Sequence, residues 1–157
     1  MRSLRDATVV ITGASSGIGL ATAQAFARRG ANVVLAARRR QLLEEAARDC
    51  EALGVRALAV PTDVTDPAQT RELASTAASA FGGIDVWVNN ASTSMWGPFE
   101  DIPLESQARL IELNLLGAIY GSHAALPHFF DPGGGAGRNN QRLLDLRPDA
   151  DALGCEL

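Results

Sequence analysis

Four short aliphatic runs, each followed by a stretch with helical spacing, constrain this chain more than any other feature. Thr8-Val9-Val10-Ile11, Asn32-Val33-Val34-Leu35-Ala36, Ala57-Leu58-Ala59-Val60 and Ile84-Asp85-Val86-Trp87-Val88 are four or five residues long. They are rich in β-branched residues and lack strict apolar/polar alternation, the pattern of strands covered on both faces. After the first run, Ile18, Ala21, Ala25 and Phe26 share one helical face up to Arg28-Arg29, with Gly30 placed to end it. Gln41 to Leu53 is the second helix, closed by Gly54, and Asp66-Pro67 offers an N-cap and an N1 proline to a third helix reaching Phe81. Strand and helix in alternation, joined by right-handed crossovers, predict an α/β fold: a doubly wound parallel sheet in the order 3-2-1-4.

Beyond the fourth strand the reading changes. A loop rich in Ser, Gly and Pro leads to Leu104 to Asn114 and Leu115 to Phe130, which read as one or two further helices. Past Asp131-Pro132, the run Gly133-Gly134-Gly135-Ala136-Gly137 is low-complexity, and the remainder has neither a strand period nor a long helical face. The chain therefore divides into an ordered domain over 1–130 and a Gly-rich, irregular, disordered tail over 131–157. A sheet ending at its fourth strand would leave Val86-Trp87-Val88 as a bare edge, so a marginally stable, aggregation-prone chain is expected.

Composition bounds function mainly by exclusion. A net charge of -4 provides no basic field for nucleic acid or an anionic membrane, so neither is an expected partner. Apolar stretches are broken long before the roughly 18 residues that span a bilayer. The start MRSLRDATVV has no apolar export segment. Cys50 and Cys155 are too few for a disulfide framework, and a cytoplasmic location follows as the expectation. Cys50, in a helical stretch, reads as a packed thiol rather than a reactive one. All 14 basic residues are Arg, which closes the chain to any mechanism that needs Lys.

Chemistry concentrates in the turn between the first strand and first helix, Thr12-Gly13-Ala14-Ser15-Ser16-Gly17-Ile18-Gly19. A dinucleotide pyrophosphate needs main-chain N–H groups at close range and the positive end of a helix dipole. Gly13 would make the turn, Gly17 admit the phosphates and Gly19 let the helix pack on the sheet, while Ser15 and Ser16 donate hydroxyls. There is no Gly-Lys-Ser/Thr, which excludes a P-loop NTPase. Where an acidic residue would bind the ribose of NAD, the second strand ends in Ala37-Arg38-Arg39-Arg40. Arg38 is placed to meet a 2′-phosphate, favouring NADP over NAD.

With these residues placed, positions 6 to about 130 resemble the short-chain dehydrogenase/reductase family and its Rossmann-type fold. The matching motifs are the glycine turn from Thr12 to Gly19, Asp63-Val64 after the third strand, Asn89-Asn90-Ala91 after the fourth, and Asn114. The resemblance implies that Ile18 sits with the phosphate turn, that Asp63 and Val64 flank the adenine, that Asn90 and Ala91 line the ribose, and that Asn114 holds a water in a proton relay. It implies hydride transfer between a nicotinamide and a small alcohol or carbonyl substrate, and pairing of like chains through the late helices. Ser92 departs from the glycine that usually completes the Asn-Asn-Ala-Gly motif.

The family's catalytic Ser, and its Tyr with Lys four residues on, are not recognisable. The only tyrosine, Tyr120, has Ala124 where the Lys belongs and reads as a packing residue. The expectation is a chain truncated or frameshifted before those groups. Dropping one base from the degenerate codons of Arg138 to Leu144 permits a strand-like string ending in serine, and sequencing the DNA across codons 131 to 157 tests that. A non-catalytic dinucleotide-binding or dimer-forming fragment is the alternative.

Overall fold

The computed structural model describes residues 4–129 and 142–145. Strands β1 (Thr8–Thr12), β2 (Asn32–Ala37), β3 (Ala57–Pro61) and β4 (Val86–Asn89) are parallel and ordered β3-β2-β1-β4, as the crossover rule requires. Val9, Val10 and Ile11 of β1 pair with Val33, Val34 and Leu35 on one side and with Val86, Trp87 and Val88 on the other.

Helices cover both faces. α1 (Gly17–Ala27) and α2 (Arg40–Glu51) pack over one core containing Val9, Ile11, Val33, Leu35 and Val88. α2 presents Leu43, Ala46, Ala47 and Cys50 inward, the i, i+3, i+4, i+7 face of an amphipathic helix. Burial first, then the Asp49 carboxylate, push the Cys50 thiol up, which suits a packed residue. α3 (Pro67–Phe81) and α5 (Gly117–Phe129) close the other core on Val10, Val34 and Trp87. Asp66 caps α3 by accepting from the Ala68 and Gln69 amides.

In the second half one open reading is settled and one expectation is overturned. The late helices form one rod: α4 (Leu104–Ile111) runs through a π-turn at Glu112–Leu116 into α5. The edge expected to be bare is paired, because β5 (Arg142–Asp145) lies parallel to β4, matching Val86 to Arg142 and Asn89 to Asp145. A ladder is made by backbone groups, so a segment with no strand period in its side chains can still add to an open edge. The sheet thus has five strands rather than four. Apart from β5, the tail expected over 131–157 lies outside the described residues. Among the described residues no helix is long and apolar enough to cross a membrane.

Candidate functional site

Parallel strands deliver the loops after β1, β2, β3 and β4 to one end of the sheet, and on either side of β1 the crossovers run in opposite directions. A cleft of about 350 Å³ opens there. Its lining includes ten of the residues singled out above: Gly13, Ser15, Ser16, Ile18, Gly19, Arg38, Asp63, Val64, Asn90 and Ala91. Gly17 and Asn114 are not in that lining, although Leu113, beside Asn114, is.

The turn is built for close approach. Gly13 has φ +67°, and a Cβ there would lie 2.8 Å from Ala91 Cα. Gly17 has φ +55° with nothing within 4 Å, so its backbone needs glycine while the space above stays open. A Cβ on Gly19 would overlap the Gly13 carbonyl oxygen. Ser16 is the N-cap of α1 but makes no side-chain cap, and the first turn holds no acidic residue. Main-chain donors that every helix start leaves without intrahelical partners are therefore not satisfied by a capping side chain here, in contrast to α3.

Thr12 and Asn90 lock the turn. The Thr12 hydroxyl donates to Val88 O at 3.3 Å and accepts from the Asn90 and Ala91 amides at 3.0 and 3.1 Å. Asn90 Nδ2 donates to Thr12 O at 2.9 Å and Gly13 O at 3.3 Å, so this side chain is spent on the turn itself. Asn89 works on the far side: its Oδ1 accepts from Trp87 Nε1 at 2.8 Å and its Nδ2 donates to Ser122 Oγ at 3.0 Å, tying β4 to α5.

Positive charge rims the cleft at the end of β2. Arg38 lines it, and Arg39 reaches back so that Nη2 stands 3.4 Å from Ser15 Oγ and 3.3 Å from Ser16 Oγ. Asp63 faces them from the end of β3. Burial alone would raise its carboxyl, but the Thr65 hydroxyl and amide, with the Arg109 and Arg38 charges, outweigh it and hold the group below the usual carboxylate range. Arg109 of α4 stands 3.6 Å from Asp63 Oδ2 and 2.9 Å from Glu112 Oε2.

Asn114 sits within the π-turn, an irregularity frequent at functional sites. Its Oδ1 accepts from Thr93 N at 2.9 Å and its Nδ2 donates to Thr93 O at 2.8 Å. Tyr120 lies on α5 and is not in the cleft lining. Sequence reasoning passed over Arg39 and Arg109 as site residues. Arg39 carried a signal in the arginine run, whereas Arg109 meets Asp63 only through the tertiary fold.

A doubly wound parallel sheet with a glycine turn and helix N-terminus at its switch point defines the Rossmann-type class of α/β protein. Comparison with known proteins narrows it further, because the short chain dehydrogenase family profile matches residues 7–138. The chain belongs to that family. It is 42% identical over 129 residues to the uncharacterized oxidoreductase YxnA of Bacillus subtilis (strain 168), covering 82% of this chain and 36% of that one. It superposes on an NAD+-bound xylitol dehydrogenase with TM-score 0.87 and 27% identity, over 98% of this chain and 57% of that one. It also superposes on an alcohol dehydrogenase from Thermococcus sibiricus complexed with 5-hydroxy-NADP, with TM-score 0.75 and 35% identity, over 78% and 53%. The chain spans from 36% to 58% of the length of curated relatives it matches.

Proposed function

We propose that this chain carries the cofactor half of an NADP-dependent alcohol/carbonyl oxidoreductase, with its partners a small-molecule substrate and a second copy of itself. The observation that carries this reading is the α1 N-terminus, uncapped by any side chain, behind a glycine turn, with Arg38 and Arg39 at the rim and no acidic residue ending β2. Such a start favours a polyphosphate, and the planar, always-charged guanidinium suits a 2′-phosphate.

In this reading Gly13, Gly17, Ile18 and Gly19 bring main-chain amides to the pyrophosphate, with Ser15 and Ser16 donating hydroxyls. Arg38 and Arg39 grip the 2′-phosphate. Asp63, an acceptor when ionised, and Val64 flank the adenine, while Ala91 and the chain at Asn90 line the ribose. Asn114, with one lone pair and one hydrogen of its amide left over from Thr93, holds the relay water. Bound nicotinamide would supply hydride transfer. A cytoplasmic setting, where NADPH is plentiful, suits the proposal. A stripe of exposed Ile111, Leu115, Ile119 and Leu126 along α4 and α5 supports pairing of like chains.

NADPH fluorescence titration tests the reading. NADPH should bind more tightly than NADH, and R38Q/R39Q should weaken NADPH by about 10 to 100-fold, since hydrogen bonds to charged groups contribute about 1.5–3 kcal/mol, with NADH little changed. No saturable binding of either carrier to a folded sample would end it. The second reading, a non-catalytic dinucleotide-binding or dimer-forming fragment, draws on the absence of Lys and on the place of Tyr120 outside the cleft lining. NADPH consumption with a panel of carbonyls separates the two.

A further inference from the structure

The opposite end of the sheet holds a second opening. The segments that enter β1, β2 and β3 meet there, beside the turns that close α1 and α2, around a cleft of about 750 Å³. Its lining includes Arg5, Arg28, Arg29 and Arg56 against a single carboxylate, Asp6. A chain of net charge -4 thus gathers four arginines in one concave place. β2 is six residues long, and at about 3.3 Å per residue it sets this cleft about 20 Å from the glycine turn.

Helix ends do not account for this gathering. The negative end of a helix favours cations near it, which covers Arg28 and Arg29 after α1, but Arg5 and Arg56 precede β1 and β3. Nor are arginines needed as caps, because the main chain already closes both turns. Gly30 N donates to Ala27 O at 2.8 Å and Ala31 N to Phe26 O at 3.2 Å, while Leu53 N donates to Cys50 O at 3.0 Å and Gly54 N to Glu51 O at 2.8 Å. Among the described residues, Arg28, Arg29 and Arg56 form no ion pair. Arg28 Nη2 makes only a long contact of 3.5 Å to Gln24 Oε1.

Part of the cleft is held in place. Arg56 Nη2 donates to Ala80 O at 2.9 Å and its guanidinium carbon stands 4.5 Å from the Phe81 ring centre, which fixes the group and leaves the rest of its fork open. Asn32 Oδ1 accepts from Arg56 N at 3.1 Å, so the amide is oriented, and Nδ2, without a partner among the described residues, adds a neutral donor to the same lining. A Cβ on Gly54 would meet nothing within 4 Å, so the mouth stays open beside α2. Guanidinium groups donate and never accept, and their planar forks match phosphate and carboxylate oxygens. The concave shape, on a chain that is acidic as a whole, selects a small anion over an extended polymer. We propose that this cleft binds a small polyvalent oxyanion, a polyphosphate or polycarboxylate, through Arg28, Arg29 and Arg56, at a site separate from the cofactor cleft.

Calorimetric titration of the full chain with tripolyphosphate and with citrate tests the site, and the tighter of the two names the source of the anion. At least one should bind saturably, more weakly as salt is raised, with hydrogen exchange slowed over residues 27–32 and 53–57. R28Q/R29Q should weaken binding by about tenfold or more, as the loss of charge-assisted bonds requires, whereas R38Q/R39Q at the other end of the sheet should leave it intact. R29K, which keeps the charge and loses the planar fork, should fall between. Circular dichroism checks the fold of R28Q/R29Q, and R29Q alone, at an exposed side chain, replaces it if the double variant unfolds. No saturable binding of either anion, or affinity unchanged in a folded R28Q/R29Q or R29Q, would overturn the proposal. Protection confined to residues 12–19 would also overturn it while favouring the cofactor reading. Anion binding here by a chain that takes up no NADPH would do the reverse.

Discussion

Replacing Gly19 by alanine separates this structure from a propensity argument, because the two predict opposite signs. Gly19 is the third residue of α1, and in an ordinary helix interior alanine there would stabilise by about 1 kcal/mol. Here the new Cβ would overlap the Gly13 carbonyl oxygen and lie 2.8 Å from the Gly13 carbonyl carbon and 2.5 Å from Asn90 Nδ2. Neither neighbour is free to retreat, since the carbonyl is backbone and Asn90 Nδ2 is held by Thr12 O at 2.9 Å. Strain of this kind costs about 1–3 kcal/mol, and each displaced hydrogen bond about 1 kcal/mol more. Set against the propensity gain, the net loss is about 2 kcal/mol, a midpoint drop of about 4–8 °C for a chain of this size. Thermal unfolding followed by circular dichroism measures it, and NADPH titration on the same variant should show weaker binding because the turn has moved. Gly17 provides the contrast, since only its φ of +55° resists a side chain. Asparagine, which tolerates that region, should recover most of the loss at 17 and none at 19. A Gly19→Ala variant as stable as the parent, or more so, would refute the close approach on which the cleft is built.

Three further outcomes follow from particular contacts. The Ala68 amide, then the Gln69 side chain, hold the Asp66 carboxyl below its usual value, against a small opposing effect of burial. Asp63 is depressed as well, burial there being outweighed by Thr65, Arg109 and Arg38. A depressed carboxyl contributes stability that is complete above its unfolded pKa of about 3.9 and is lost as pH falls through the lower folded value. Urea midpoints should therefore hold steady from neutral pH to about 5, then fall in acid, with D66N flattening the fall. Asn114→Ala removes both bonds to Thr93, so hydrogen exchange should rise about tenfold or more over residues 93–99 and little in β1. Leu115→Asp in the exposed stripe of the late helices should shift any self-association toward monomer in sedimentation, with helix content unchanged.

The central sheet was legible because each of its first four strands is a compact β-branched run, and because the handedness of crossovers leaves few orders to choose from. β5 was not, since Arg142-Leu143-Leu144-Asp145 has no strand period and joins through main-chain bonds to β4. Much of the cleft was visible for a related reason: the residues after β1, β3 and β4 need only short loops to converge at the switch point. What stayed hidden was how side chains spend their bonds. The resemblance set Asn90 beside the ribose, whereas the fold shows its Nδ2 engaged by the Thr12 and Gly13 carbonyls. Asn114 could be named, but the π-turn around it and its grip on Thr93 depend on a loop 21 residues away. Arg109 had no local signal at all, because its partner Asp63 belongs to another βα loop.

The two helix starts around this sheet differ in a way that supports the proposed phosphate-bearing ligand. α3 begins with Asp66 accepting two amides and Gln69 answering it, so its N-terminus is satisfied internally. α1 begins at Ser16 with no side-chain cap, and an uncapped start forgoes roughly 1 kcal/mol. The same place collects positive charge: Arg39 stands against Ser15 and Ser16, Arg38 lines the cleft, and the α1 dipole points its positive end at them. These cations oppose the dipole instead of complementing it, and the nearest acid in the lining, Asp63, is already engaged by Thr65 and Arg109. Folding alone would select a capping Asp at the turn and would not place arginines above it. A polyanion seated there reverses both penalties at once, satisfying the open amides and screening the guanidinium groups from the helix, so the features that weaken the free chain are those that reward a phosphate-bearing ligand.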